Sequence, residues 1–249
     1  MRALLVLAEL WVASEIILLL GPFHRDALLY AAAALVLCLG CVLTVVVTRP
    51  APSVRESQVA MRLLPLQLAG IVATIAFTAW RGSEYALAVV ILLVVLRVPL
   101  GAMGFGGFSR GSSRAAVLWL VPALLALAVV TFWLGVPMAL AGRRLLLAFL
   151  TQGFSEEFLF RGALFGRLRP LMPGQWAAFA QAILFALWHL GRTGIALGGT
   201  DAIWVLVRLV PAYAVFGFAM ALLVRRTGNI AVATLFHTAI AALFPLGSL

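Results

Sequence analysis

The sequence predicts an all-α protein, a polytopic transmembrane bundle of eight or nine membrane helices. Three observations lead there. Hydrophobic residues make up 65% of the 249-residue chain and charged residues 10%, against about 25% charged in ordinary soluble domains. Apolar runs close to the length that spans a bilayer recur from one end to the other. None alternates with the period of two expected of a membrane β-barrel. Lipid offers the backbone no hydrogen bonds, so helices remain as the way to cross it.

The runs follow in order. Ala3–Leu20 carries Glu9 and Glu15 within its apolar stretch and no small-residue cleavage pattern after it. It is therefore read as a retained helix rather than a signal peptide. The two glutamates are about 120° apart on a helix, do not form one face, and are expected to pair with Arg97 or Arg208. Ala27–Val47 contains Cys38 and Cys41. With no further zinc ligands and no exposed thiolate in view, these read as small buried hydrophobes. Leu63–Trp80 is mostly apolar and carries Gln67, and Tyr85–Leu100 is short enough to be tilted or half-buried.

The stretch "GAMGFGGFSRGSSR", Gly101 to Arg114, reads as a flexible connector without a helix. Its glycines precede no P-loop lysine. It divides the chain into residues 1–100, the N-terminal transmembrane helices, and 101–249, a second transmembrane core. That core comprises Ala115–Leu134, Leu145–Leu168, the short Trp176–Leu190, Ile203–Val224 and Ile230–Leu246, with the connector "GRTGIALGGTD" at Gly191–Asp201.

A net charge of +10 would suggest nucleic acid in a soluble protein. Here every basic residue is arginine and most sit at the ends of apolar runs, so the expected surroundings are a lipid bilayer and no nucleic acid. Arg49, Arg55 and Arg62, then Arg110 and Arg114, Arg167 and Arg169, and Arg225 and Arg226 mark alternate loops. The positive-inside rule then puts the N-terminus in the cytoplasm and, after nine crossings, the C-terminus outside. Arg143 and Arg144, assigned to an intervening loop, run against that pattern.

The chemistry concentrates in the second core. "FSEEFLFRGALFGRLRP", Phe154 to Pro170, places Glu156, Glu157 and Arg161 on a helix that should lie in the membrane. Each charge there costs about 2.5–3.5 kcal/mol at the bilayer centre, so such residues mark a function. Glu157 and Arg161 are four residues apart and share a face, carboxylate first, which suits an ion pair. Glu156 is turned about 100° away and has no local cation. That arrangement leaves it suited to act as a general base. His189 closes "FALWHL", one turn after Phe185, and His237 lies in "LFHTAIAAL" on the last helix. His24 sits in a polar turn and is left out. One carboxylate and two imidazoles can activate water, with or without a metal. Ser155 in "GFSEE" begins like a nucleophile elbow, but the second glycine and the strand-to-helix turn are missing.

These motifs, Glu156-Glu157-x-x-x-Arg161, Phe185-x-x-x-His189 and His237 after "RRTGNIAVATLF", resemble the CPBP intramembrane proteases. That family comprises the CAAX prenyl endopeptidase and bacteriocin-processing (Abi-like) proteins. The resemblance covers about residues 101–246 and makes 101–249 a CPBP-like catalytic core with its active site within the bundle. It implies peptide-bond hydrolysis without a covalent intermediate. Glu156 with His189 would activate water, His237 would stabilise the oxyanion, and Glu157 and Arg161 would fix the motif helix. Phe185 would pack against the site. The same trio, Glu156, His189 and His237, would supply three ligands if Zn2+ takes part. The family carries asparagine four residues after the last histidine, where this chain has Ala241. Thr238, Thr234 or Asn229 are the stand-ins considered, Asn229 lying eight residues before His237.

Two other classes fit parts of the sequence. Four intramembrane glutamates and two histidines could form the proton relay of a transporter, although no inverted repeat is visible. With Ala241, a non-catalytic immunity or scaffold protein is the other. The expected substrate is a peptide or membrane protein, prenylated CAAX-type or not. A lysine-free, arginine- and alanine-rich chain associates with a GC-rich prokaryotic genome and hence a prokaryotic plasma membrane.

Overall fold

The computed structural model describes residues 2–19, 24–48, 64–76, 101, 104–107, 110–192 and 200–243. Among them are eight helices and no strand beyond an isolated bridge between Phe105 and Asn229. The first four are α1 (Arg2–Leu19), α2 (His24–Val47), α3 (Leu64–Ala76) and α4 (Arg110–Trp133). α5 covers residues 138–168, and α6 (Gly174–Arg192), α7 (Thr200–Thr227) and α8 (Ala231–Leu243) complete the chain. The all-α expectation holds. Two stretches, Ser112–Trp133 and Val210–Thr227, are each long and apolar enough to cross a membrane, and Leu35–Val47 and Ala231–Leu243 are shorter apolar helices. The expected run Tyr85–Leu100 lies outside the described residues.

The outer surface is apolar. Phe132 and Trp133, at the end of α4, are 88% and 84% exposed. Exposed apolar surface on this scale marks contact with a membrane or a partner rather than with water.

Two expectations need correction. The segment before α4 is no flexible connector throughout: α4 begins at Arg110, inside the stretch read as helix-free. Gly104 and Gly106 are closely packed. Gly104, at φ +87°, sits where an added Cβ would lie 2.6 Å from Ile230 Cγ2 and 3.0 Å from Gly162 Cα. Only glycine combines that backbone angle with that approach. Ile230 N–H donates to Gly104 O at 2.9 Å, and the Asn229 side-chain amide donates to Gly106 O at 2.5 Å. The glycines bring this strand-like stretch between α5 and the start of α8 instead of loosening it.

Secondly, Arg143 and Arg144 belong to no loop. They lie in the first helical stretch of α5, Met138–Ala148, which starts seven residues before the expected Leu145. Periodicity alone had placed the start where the apolar run becomes unbroken. Glu15 is described without the arginines expected to pair with it, since Arg97 and the Arg208 side chain lie outside the described residues. Its Oε1 accepts from Trp11 Nε1 at 2.5 Å, one turn back on α1. Glu9 is exposed. Cys38 and Cys41 are free thiols, Cys41 fully buried.

α5 departs from regular geometry. After Met138–Ala148 it widens into π-type turns at Phe149–Phe154, returns to α at Ser155–Glu157, widens again at Phe158–Phe165 and ends at Gly166–Leu168. Wide turns leave carbonyls without their usual partners, and π segments are frequent at functional sites. Neighbours supply donors. Gln67 Nε2 on α3 reaches Leu159 O at 3.2 Å, and Arg167 donates to Ala163 O. Gln67 thereby ties the N-terminal half to the motif helix.

α8 runs antiparallel to α5. Thr238 abuts Gly153, where an added Cβ would lie 2.0 Å from Thr238 Oγ1 and 2.9 Å from Thr234 O. One turn along, His237 meets Glu157, and Ile230 reaches Gly162 through Gly104. α6 and α7 also pack closely at Gly217, whose added Cβ would lie 3.1 Å from Ala182 Cα. The other side of α8 is closed by Trp119 of α4, edge-on to Phe236 at 4.9 Å, with its indole N–H donating to Thr44 Oγ1 at 2.7 Å.

Candidate active site

The α-helical interlude Ser155–Glu157, held between the two wide segments, aims both glutamates inward. Glu156 is 1% exposed and Glu157 0%. Two ionisable residues adjacent in sequence usually diverge on a helix, as the 100° step predicts. Here they grip opposite nitrogens of one ring. His237 Nδ1 lies 2.8 Å from Glu157 Oε1, and His237 Nε2 lies 3.7 Å from Glu156 Oε2. His189 Nε2 is 3.5 Å from that same Glu156 oxygen. Three side chains from α5, α6 and α8 therefore converge on one carboxylate oxygen.

Second bonds fix how each ring is turned. A carbonyl only accepts, so His189 Nδ1, 2.9 Å from Phe185 O, carries its proton there. His189 Nε2 then faces Glu156 with a lone pair when the ring is neutral. His237 is oriented in the same way by the Glu157 carboxylate. The His189 ring is stacked on Tyr213 of α7, centroids 3.9 Å apart and planes 19° from parallel, and meets Phe185 edge-on at 4.4 Å. Phe216 meets His237 at 4.8 Å. Aromatic walls restrict both imidazoles. Phe185 thus acts as expected, by packing, and adds its carbonyl.

Arg161 is buried with Glu157. Its NH1 lies 3.1 Å from Glu157 Oε1, its NH2 donates to Gly217 O at 3.3 Å, and its guanidinium carbon stands 4.2 Å from the Phe185 ring centroid. Glu157 does more than the sequence suggested: the same oxygen serves Arg161 and His237. Gln181 of α6 donates from Nε2 to Gly217 O at 2.9 Å and to Ala178 O at 3.1 Å, so Gln181 and Arg161 share one carbonyl. Sequence reading passed over Gln181 and Tyr213. The signal was available for both, a polar group in an otherwise apolar run.

Other candidates are placed elsewhere. Ser155 Oγ donates to Thr151 O at 2.7 Å and stays in its own helix. Thr238 Oγ1 likewise donates to Thr234 O. The Asn229 side chain accepts from Ala231 N–H at 2.7 Å and donates to Gly106 O. It caps α8, eight residues or about 12 Å along the axis from His237. It is therefore not a stand-in beside that histidine. Ala241 is half-buried on α8.

The expected zinc set meets a test of shape. Among the described residues, no group of three or more His, Cys, Asp and Glu side chains is arranged to hold a metal ion. His189 and His237 each place Nδ1 against a protein acceptor and turn Nε2 toward Glu156, a disposition that also suits a metal-bound histidine.

The fold and site define an all-helical protein with an apolar exterior and a buried glutamate–histidine centre at the junction of α5, α6 and α8. Residues 140–243 match the family model described as Rce1-like, type II CAAX prenyl endopeptidase. The match agrees with the resemblance carried by the motifs, and it covers all of them, from Glu156 to His237. It is narrower than the stretch read from the sequence, leaving residues 101–139 and 244–246 unmatched. The described family is one of membrane proteases, with which the two apolar spans are consistent. No curated protein and no solved structure matches the chain.

Proposed function

We propose that the chain is an intramembrane endopeptidase, hydrolysing a peptide bond in a membrane-associated peptide or protein by glutamate-activated water. The observation that carries this reading is the convergence of His189 Nε2 and His237 Nε2 on Glu156 Oε2, at 3.5 and 3.7 Å. A water bonded to both Glu156 and His189 would direct its two protons at Oε2 and Nε2. Its lone pairs would then face away from both, toward an incoming carbonyl carbon. Glu156 takes one proton as the water oxygen bonds to that carbon. When the C–N bond breaks, the same proton passes to the departing amine.

His237 would face the developing oxyanion. Because its Nδ1–H is given to Glu157, its Nε2 donates only in the imidazolium form, whose charge the Glu157 carboxylate supports. Arg161 holds Glu157, so the adjacent glutamates divide the labour: one handles water, the other orients the histidine. The histidine side chains retain 10% and 9% exposure while that of Glu156 retains 1%. Substrate would therefore arrive across the ring edges, with the carboxylate behind them.

The family's description makes prenylated CAAX termini the first substrate class to test, and the proposed setting is a multi-pass protein of a prokaryotic plasma membrane. The experiment compares peptide termini in membranes carrying wild type, Glu156→Gln and His189→Ala. A cleaved terminus present in wild type and lost in both variants is the expected result. Three identical profiles would end the hydrolytic reading.

A further inference from the structure

Thr234 breaks a rule that the other threonines with described side chains obey. Thr44, Thr131, Thr151, Thr227 and Thr238 each donate their hydroxyl to the carbonyl four residues back in their own helix, and Thr48 does so at the end of α2. Thr234 does not. It is 4% exposed and its Oγ1 has no hydrogen-bond partner among the described residues. The carbonyl four residues back, that of Ile230, accepts only the Thr234 backbone N–H, at 2.8 Å. Buried hydroxyls are nearly always bonded, so an exception calls for a reason.

Its place on α8 suggests one. Taking His237 as the origin, Thr234 lies about 60° round the helix and Thr238 about 100°, in the same direction. The ends of that arc are fixed by contact with α5: His237 bonds Glu157 and Thr238 abuts Gly153. Thr234 therefore lies within the arc that faces the motif helix, about 4.5 Å along the axis from His237. Its neighbour Thr238 cannot serve the same purpose, because that proton is given to Thr234 O.

We infer that the Thr234 hydroxyl is a second hydrogen-bond donor to the carbonyl oxygen of bound substrate, acting beside His237; this rests on the peptidase reading above. The chemistry favours a hydroxyl. His237 donates from Nε2 only when doubly protonated, whereas a threonine donates without acquiring a proton. A donor unpaired at rest has no existing bond to break when charge develops on the oxyanion, so its interaction is made in the transition state.

The test uses full-length protein reconstituted in lipid, with an internally quenched peptide ending in a farnesylated CAAX sequence as the probe. Thr234→Val keeps the shape and removes the donor, and Thr234→Ser keeps the donor. Thr234→Val is expected to lower kcat by about 10²–10³-fold, with a Tm equal to or above wild type, since no bond is lost at rest. Thr234→Ser is expected to retain most of the rate. A Thr234→Val rate within threefold of wild type would overturn the inference. So would a lowered Tm, which would mean that the hydroxyl has a structural partner. A Glu156→Gln control separates the two readings: if it cleaves normally, or if wild type leaves the probe intact, the peptidase reading fails first and the role of Thr234 with it.

Discussion

The Nδ1 of His237 lies 2.8 Å from Oε1 of Glu157, a contact between residues 80 positions apart. The second glutamate of the motif is therefore attached to the last helix as well as to Arg161. This joins α5 to α8 through a charge-assisted bond and sets which ring nitrogen of His237 is left to face Glu156.

Replacing Glu157 with glutamine keeps an oxygen able to accept from Nδ1 and removes the charge behind the ring. If His237 works as an imidazolium, kcat should fall by on the order of 10²–10⁴-fold with little change in KM. Steady-state kinetics on the farnesylated probe would measure it. An unchanged kcat would remove Glu157 from the mechanism and leave it a packing group.

Arg161 is expected to matter more for folding than for chemistry. Arg161→Met would leave Glu157 buried without its cation, and one-sided removal of a buried pair costs about 3–5 kcal/mol. Arg161→Lys restores the charge but cannot bond Glu157 and Gly217 O together while lying flat on Phe185. The expected order of Tm in detergent is wild type, then lysine, then methionine. Equal values for wild type and Arg161→Met would show that Arg161 does not hold α5 to α7 through Gly217 O.

The glycine-rich stretch offers an internal control. Gly104→Ala meets Ile230 and the Gly162 backbone from a left-handed φ, and should destabilise by about 1–3 kcal/mol. Gly107→Ala meets nothing within 4 Å and should be close to neutral. Asn229→Ala removes the α8 cap and the tie to Gly106, costing about 1–2 kcal/mol while leaving kcat near wild type. Denaturation midpoints with parallel kinetics would test all three. A kcat collapse in folded Asn229→Ala would bring that residue back to the site.

Chelation addresses the metal question directly. The arrangement of the three site residues supports water activation by protein groups, so prolonged treatment with a strong zinc chelator should leave turnover unchanged. Loss of turnover that added Zn2+ restores would refute this and return Glu156, His189 and His237 to the role of ligands.

Much of this was legible without coordinates. Composition and run length dictated helices, because an apolar chain in lipid has few other ways to bond its own backbone. The expense of charge among apolar residues singled out Glu156, Glu157 and Arg161, and the i,i+4 spacing gave the ion pair that the structure contains. What local pattern could not reach was anything decided between helices. Arg143 and Arg144 looked like a loop because charge interrupts an apolar run, yet backbone bonding carries the helix through them. Gly104 and Gly106 looked flexible because freedom is what glycine has in isolation. In the fold the missing side chains let two helices and a strand-like segment come within contact distance.

Sequence by itself determined which residues had to be bought out of lipid and which helical faces they occupy. Only the tertiary structure decided that Glu157 would hold His237, that Asn229 would cap a helix instead of joining the cluster, and that Thr234, among the described threonine side chains, would keep an unused hydroxyl. The reason is range. Helical periodicity reports neighbours within a turn or two, whereas each of these outcomes depends on where a second helix lies and how closely glycine lets it approach.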